Sequence, residues 1–218
     1  MQETKQSYRL HAIWDPFMRI THWWMAFALL LQFITGAALS LLDGIVPETA
    51  HDQLAQAHYT IGYAFAAALG ARLFWLFAGP PHASWRELVP LTPEQRNAWL
   101  ATLRYYFSGF RAKPPRSYAH NAFAGPIYIG FFVIAATQAA MGIVLSRMPD
   151  EERMHSSLLE WHETAFYLLL IFVVAHVAAV VLRELRDREG LISAMIHGYK
   201  VFPETEFTQE ENTVTKKP

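Results

Sequence analysis

The stretch from residue 158 to residue 182 limits the possible folds of this chain most, because it is apolar and long enough to cross a bilayer as an α-helix. It contains His162 and His176, which are 14 residues apart (176 − 162). On an α-helix this spacing is nearly four turns and a rise of about 21 Å, so both imidazoles lie on one face at opposite depths. Ionisable side chains at membrane depth are costly and usually functional. A single buried histidine is as readily a structural polar group, but two on one face indicate two partners.

The composition is that of a membrane protein with polar loops: 53% of the residues are hydrophobic and only 17% are charged. The net charge of −1 gives no indication of a nucleic-acid partner. The chain has no cysteine, which excludes disulfides, iron–sulfur clusters held by thiolates and covalently attached haem. A metal centre would therefore use histidine, methionine or carboxylate ligands, and any haem would be held without covalent links.

Four segments have the length and apolarity of membrane spans: 21–42, 55–78, 122–146 and 158–182. Lysine and arginine concentrate in the 79–121 connection and after the last span, whereas the 43–54 connection has neither. The positive-inside rule then places both termini and the long connection in the cytoplasm. We expect an all-α four-helix bundle in a bacterial inner membrane, formed by residues 1–202, and a disordered polar tail at 203–218.

Two shorter segments are predicted at the cytoplasmic surface. Residues 92–107 form an amphipathic helix that begins at the N-cap Thr92 and either lies on the membrane or packs on the bundle. Residues 190–202 are predicted to be a second interfacial piece.

Two further histidines lie inside the predicted spans, and depth determines how the four pair. His22 is near the cytoplasmic end of the first span and His58 near the outer end of the second. His176 is then at the level of His22 and His162 at the level of His58, whereas the crossed pairs would have to bridge about 20 Å. Two imidazole pairs at two depths predict two haems, each with two histidine ligands, because haem is commonly held by side chains in a bundle core. A zinc site is disfavoured, since zinc prefers three or four ligands.

Other residues share the faces of these histidines. Gly36 lies 14 residues after His22 and leaves room for a porphyrin or for close helix packing. Arg72, 14 residues after His58, is predicted to contact an inner haem propionate, while Arg19 either does the same or extends to the membrane surface. His120 is the one remaining histidine that we consider as a substitute ligand or quinone contact.

These residues also carry a resemblance to the prokaryotic cytochrome b-561 family, which includes the b-type cytochrome subunit of nickel hydrogenases and membrane subunits of thiosulfate-reductase-type enzymes. The resemblance implies two non-covalent b haems with His22, His58, His162 and His176 as axial ligands, and electron exchange with quinone. The chain departs from the usual pattern at AHNA (119–122), IHGYK (196–200) and AGPPHASW (78–85). The matching pieces are WDPFMRITHWW at 14–24 with Thr-Gly at 35–36, HYTIGY and ARLFW within 58–75, AHNAFAG at 119–125, EWHETAFYLLLIFVVAH at 160–176 and MIHGYK at 195–200.

Three functions follow as alternatives. The first is the membrane subunit of a larger oxidoreductase, which exchanges electrons between a peripheral redox enzyme and quinone. The second is a standalone enzyme, for instance one that oxidises superoxide and reduces quinone; it would need a cationic outer site for its anionic substrate. The 43–54 loop has no cation, and Arg147 and Arg153 have acidic neighbours, which favours the subunit. The third is an anchor or transporter without a cofactor.

Overall fold

The structure, a computed structural model, describes residues 8–108, 124–187 and 190–203. Over these ranges the chain forms helices α1 to α7 and a two-stranded ribbon, and two short 3₁₀ turns precede α3. The elements are β1 (Tyr8–Ala12), α1 (Pro16–Leu42), α2 (Glu48–Ala78), the turns Pro81–Ala83 and Trp85–Glu87, α3 (Pro93–Phe107), α4 (Ala124–Leu145), α5 (Asp150–Met154), α6 (Ser157–Asp187), α7 (Leu191–His197) and β2 (Tyr199–Pro203).

Four of these helices, α1, α2, α4 and α6, are long and apolar enough to cross a membrane, which confirms the four predicted spans. Helices α1 and α2 begin earlier than predicted, at Pro16 and Glu48 instead of near 21 and 55. A proline opens or immediately precedes each of these helices, and its fixed backbone angle favours a helix start. Helices α1 and α2 therefore begin at a local start signal and extend beyond their apolar segments.

The start of α1 is held by Asp15, whose Oδ1 accepts a hydrogen bond from the backbone N–H of Met18 at 2.9 Å. Its Oδ2 accepts a second one from the indole N–H of Trp75 on α2 at 3.2 Å. Burial raises the pKa of Asp15, but these hydrogen bonds and His82 outweigh burial and leave the pKa below its usual value. Asp15 thus joins the beginning of α1 to the end of α2.

Each spanning helix packs on the next one along the chain, around one apolar layer: α1 packs on α2, α2 on α4, and α4 on α6. Ala68 and Ala135 are fully buried where α2 meets α4, and their small side chains allow close approach. Large apolar side chains cover the outside of all four helices, among them Phe27, Phe74 and Ile171, as expected where the solvent is lipid. The layer consists of Met25, Ala28, Leu29, Phe33, Phe65, Ala68, Leu69, Ala135 and Leu169.

Helix α3 confirms the predicted amphipathic segment and its start. The N–H of Gln95 donates to Thr92 Oγ1 at 3.2 Å, and Gln95 Oε1 accepts from the N–H of Thr92 at 3.0 Å, which is a capping box. Thr102 and Tyr105 are buried, with the guanidinium of Arg186 on α6 above the Tyr105 ring, so one face packs on protein.

The segment predicted as a second interfacial piece divides into α7 and strand β2, which the sequence analysis did not anticipate. β2 pairs antiparallel with β1, with Ala12 opposite Tyr199 and Tyr8 opposite Pro203. Gly198 links helix to strand with a φ of 92°, and an added Cβ would lie 2.9 Å from the carbonyl oxygen of Trp14. The ribbon places both ends of the described chain on the same side of the bundle. The predicted tail beyond residue 203 lies outside the described residues.

Asp15→Ala should lower the stability of the bundle by about 1 kcal/mol, because α1 loses its N-cap and its bond to Trp75. The measurement is the denaturation midpoint of the detergent-solubilised protein by circular dichroism. Asp15→Asn is the matched control, because asparagine also caps helices. Because the pKa of Asp15 is depressed in the folded state, the ionised carboxylate adds to the free energy of unfolding at neutral pH. This contribution should disappear as the pH falls through the folded-state pKa. Equal losses in both variants would show that the charge matters and the cap does not.

Candidate functional site

The structure brings His22 on α1 next to His176 on α6. Their ring centres are 6.4 Å apart, with an angle of 59° between the ring planes. Tyr128 of α4 and Phe172 lie beside the His176 ring, with ring centres at 6.0 and 5.8 Å. Both imidazoles are partly buried. We call His22 and His176 the inner histidine pair.

The outer histidine pair is formed by His58 on α2 and His162 on α6. The ring centres are again 6.4 Å apart, and the planes are nearly perpendicular at 80°. These are the same two pairs that depth along the helices predicts. Their role as axial ligands remains a prediction.

The spacing of 6.4 Å distinguishes between two ways of satisfying paired imidazoles. A direct hydrogen bond joins two nitrogens at about 2.9 Å and would bring the ring centres to within about 5.1 Å of each other. A metal ion binds an imidazole nitrogen at about 2 Å, and the nitrogen is about 1.1 Å from its ring centre, so two imidazoles on one ion have centres about 6.2 Å apart. Both pairs therefore have the spacing of two ligands on one metal ion. In residues 8–108, 124–187 and 190–203, no three His, Asp, Glu or Cys side chains form a metal-binding group.

Two glycines, Gly36 and Gly142, leave space for the imidazole rings of the outer histidine pair. A Cβ added at Gly36 on α1 would lie 3.3 Å from the His58 ring, and one added at Gly142 on α4 would lie 3.1 Å from the His162 ring. Each imidazole thus lies against a neighbouring helix where a side chain is missing. At Gly36 the space accommodates the predicted ligand itself; its proposed role toward a porphyrin stays a prediction. The sequence analysis missed Gly142, although it stands four residues after Gln138 on the buried face of α4.

Arg72 is the most informative charged residue near the inner pair. Only 4% of it is exposed, and its guanidinium lies above the ring of Phe132 at 5.6 Å. Its Nη1 is buried without a hydrogen-bond partner in the described chain. A buried cation with an unused donor is costly, so the site fits an anionic group such as a haem propionate. Its electrostatic interaction with His22 places it at the inner level, as the sequence predicts.

Arg19 makes a contact with α7 that neither of its two predicted roles includes. Its Nη1 donates a hydrogen bond to the backbone carbonyl of Ile196, near the C-terminus of α7, where a cation is favoured. Its Nε is buried without a partner among the described residues, and its contact with a propionate stays a prediction.

His82, in the connection that follows α2, contacts the residues at the start of α1. Its Nε2 is 3.3 Å from Asp15 Oδ2, and its ring approaches that of Trp14. Because the two segments are about 65 residues apart, only the folded bundle brings them together. His120 lies outside the described residues.

Four apolar helices long enough to cross a membrane hold two partly buried histidine pairs, and this arrangement is the one expected of a multi-pass membrane cytochrome b. The profile of the family described as prokaryotic cytochrome b561 matches residues 13–198, so the chain belongs to that family. Its cofactor is b-type haem, its role is electron transport, and its location is the bacterial inner membrane.

Curated relatives match almost end to end. The chain is 27% identical to a protein of Azotobacter vinelandii, with 87% of this chain and 88% of the relative covered. It is 24% identical to a protein of Cupriavidus necator (90% and 89% covered). It is 20% identical to one of Escherichia coli K12 (92% and 94% covered). The first two relatives are described as probable Ni/Fe-hydrogenase B-type cytochrome subunits, and the third as a probable Ni/Fe-hydrogenase 1 B-type cytochrome subunit.

Arg72→Met should weaken retention of one haem by roughly tenfold to a hundredfold, the value of a charge-assisted hydrogen bond of about 1.5–3 kcal/mol. The reduction potential of that haem should also fall, because a positive charge that favours the reduced state is removed. Haem content and a redox titration of the purified protein measure both effects. The exposed Arg86, which lies over Trp85, provides the control variant Arg86→Met. A more stable protein with unchanged haems would contradict this role.

Proposed function

We propose that this protein is the di-haem membrane subunit of a larger oxidoreductase, which transfers electrons between a peripheral redox enzyme on the outer side and quinone. The observation that carries the proposal is the presence of two histidine pairs at two levels, each with ring centres 6.4 Å apart. One pair at each level is what two b haems require, and the 14-residue spacing in α6 separates the levels by about 21 Å.

When bound, b haem supplies reversible one-electron iron chemistry. The residues of the chain determine where that chemistry is available. His22 with His176 would hold one haem iron and His58 with His162 the other, so the chain would supply two imidazoles to each iron and favour electron transfer over oxygen binding. The apolar layer around Phe33 and Leu169 lies between the two levels in the sequences of α1 and α6, where it excludes water.

The orientation in the membrane is supported by the ribbon and by charge. The β1–β2 pairing puts both ends on one side, together with the arginines of α3 and of the end of α6. By the positive-inside rule that side is the cytoplasm, so the inner pair faces the cytoplasm and the outer pair the opposite compartment.

The choice of a subunit over a standalone enzyme is supported by the outer loops and by the names of the relatives. Asp43, Glu48 and Asp52 are exposed there, and Arg153 pairs with Asp150 and lies over Tyr59. An anionic substrate such as superoxide would find no concentration of positive charge on these loops. The relatives described as hydrogenase cytochrome subunits indicate a hydrogenase-type partner.

His176→Ala should remove one haem and leave the other, because the second pair depends on different residues. His162→Ala should remove the other haem, so the two variants should lose different components of the reduced-minus-oxidised spectrum. Haem per protein should fall from two to one in each, while the control His155→Ala in the exposed outer loop keeps both. A wild-type protein without haem would refute the whole proposal. Loss of both haems in either variant would refute independent sites.

The partner is tested by purification from membranes of the native host under mild detergent. A peripheral redox enzyme should co-purify, and its substrate should reduce the haems and then an added quinone. Quinone reduction by the isolated cytochrome supplied only with superoxide would establish the standalone enzyme instead.

A further inference from the structure

The side chain of Thr35 on α1 contacts the outer pair in a way that the proposed function does not use. Thr35 Oγ1 is 2.8 Å from Nδ1 of His58 on α2. The same oxygen is 2.8 Å from the backbone carbonyl oxygen of Leu31. One hydroxyl thus lies between a ring nitrogen of a predicted ligand and a carbonyl of its own helix.

The number of protons on the Thr35 hydroxyl limits which group donates and which accepts in these two contacts. The Thr35 hydroxyl has one proton, so both contacts are hydrogen bonds at once only if that proton goes to the Leu31 carbonyl and Oγ1 accepts from Nδ1–H of His58. In a neutral imidazole this tautomer leaves the lone pair on Nε2, which is then the ring nitrogen available to a metal.

The neighbourhood holds His58 in this arrangement. Gln32, one turn before Gly36, donates from Nε2 to the backbone carbonyl of His58 at 2.6 Å. Gly36 lies against the His58 ring, because a Cβ added there would be 3.3 Å from Cε1 of His58. Thr35, Gln32 and Gly36 therefore fix the backbone, the ring plane and the tautomer of one residue from a single stretch of α1.

The partner imidazole is supported differently. Nδ1 of His162 is buried and makes no hydrogen bond of ordinary geometry in the described chain, although the backbone of Gln138 interacts with it. The two outer histidines are thus unequal, because Nδ1 of His58 contacts the Thr35 hydroxyl, whereas Nδ1 of His162 has no side-chain partner in the described chain.

We propose that Thr35 is a positioning residue that selects the metal-binding tautomer of His58 and tunes the outer haem. This inference rests on the proposed function, because it requires His58 to be a haem ligand. Hydrogen bonding from the distal ring nitrogen makes an imidazole a stronger ligand and orients it, and such partners typically contribute 10–100-fold to metal affinity. A stronger donor stabilises ferric iron, so the Thr35 bond lowers the potential of the outer haem.

The test compares Thr35→Val, which keeps the shape and removes the hydroxyl, with Thr35→Ser, which keeps the hydroxyl. Thr137→Val is the matched control, because the hydroxyl of the exposed Thr137 on α4 makes the same bond to the carbonyl four residues earlier, at 2.9 Å from Val133, and makes no hydrogen bond to a histidine in the described chain. The full-length protein is purified with its haems. Haem content, a spectroelectrochemical titration and the electron paramagnetic resonance of the ferric haems are measured.

Thr35→Val should shift the potential of one haem upward, change the ferric signal of that haem alone and weaken its retention by about tenfold or more. The shifted component should be the one that His176→Ala retains. Thr35→Ser and Thr137→Val should match the wild type. If Thr35→Val loses the outer haem entirely while Thr35→Ser keeps it, the hydroxyl is again shown to be required.

Unchanged potentials and signals in Thr35→Val would overturn the inference, as would equal shifts of both haems or a Thr35→Ser variant that behaves like Thr35→Val. In those cases the threonine only satisfies its own helix. Absence of haem from the wild-type protein is a separate outcome, because it refutes the proposed function before any variant is compared.

Discussion

The distance between paired imidazoles is the constraint on which the rest of this bundle depends. Imidazole rings cannot remain unsatisfied among lipid-embedded helices, and at 6.4 Å between centres they are too far apart to satisfy each other directly. At both levels the paired rings therefore have the spacing that two ligands of one metal ion would have. Helix α6 faces α1 and α2 through these rings and the Phe33–Phe166 contact, while its helix-to-helix packing is with α4.

The two levels are built with different materials. At the outer level, the Thr35 hydroxyl contacts His58, Gly36 lies against the His58 ring and Gly142 lies against the His162 ring. A hydroxyl and two glycines therefore surround the outer pair. At the inner level, aromatic rings surround His176, and the buried Arg72 supplies positive charge. Such differences in hydrogen bonding and charge are the means by which a protein gives two identical cofactors different potentials.

Polar contacts join the elements at the end of the bundle where β1 and β2 lie. Asp15 joins the start of α1 to the end of α2, and Arg19 bonds to α7. Strand β1 pairs with strand β2 at the other end of the described chain. Gly198, between α7 and β2, is required by the close approach of Trp14 and by its positive φ. The outer end, in contrast, has short connections and exposed acidic side chains. The two ends of the bundle therefore differ, because polar contacts between distant segments join one end and acidic loops cover the other.

Local sequence determined the parts of this protein that depend on one helix at a time. Hydropathy located the four spans, the 14-residue spacing put His162 and His176 on one face, and cap chemistry located α3, because each of these signals acts over a few turns. Helix direction then sufficed to put His22 at the depth of His176. Only the tertiary structure decided what lies beside each ring: Thr35 at His58, Gly142 at His162, His82 at Asp15, and strand β2 along β1. Those contacts join residues far apart in the chain, and their geometry depends on how the helices pack, which no local periodicity encodes.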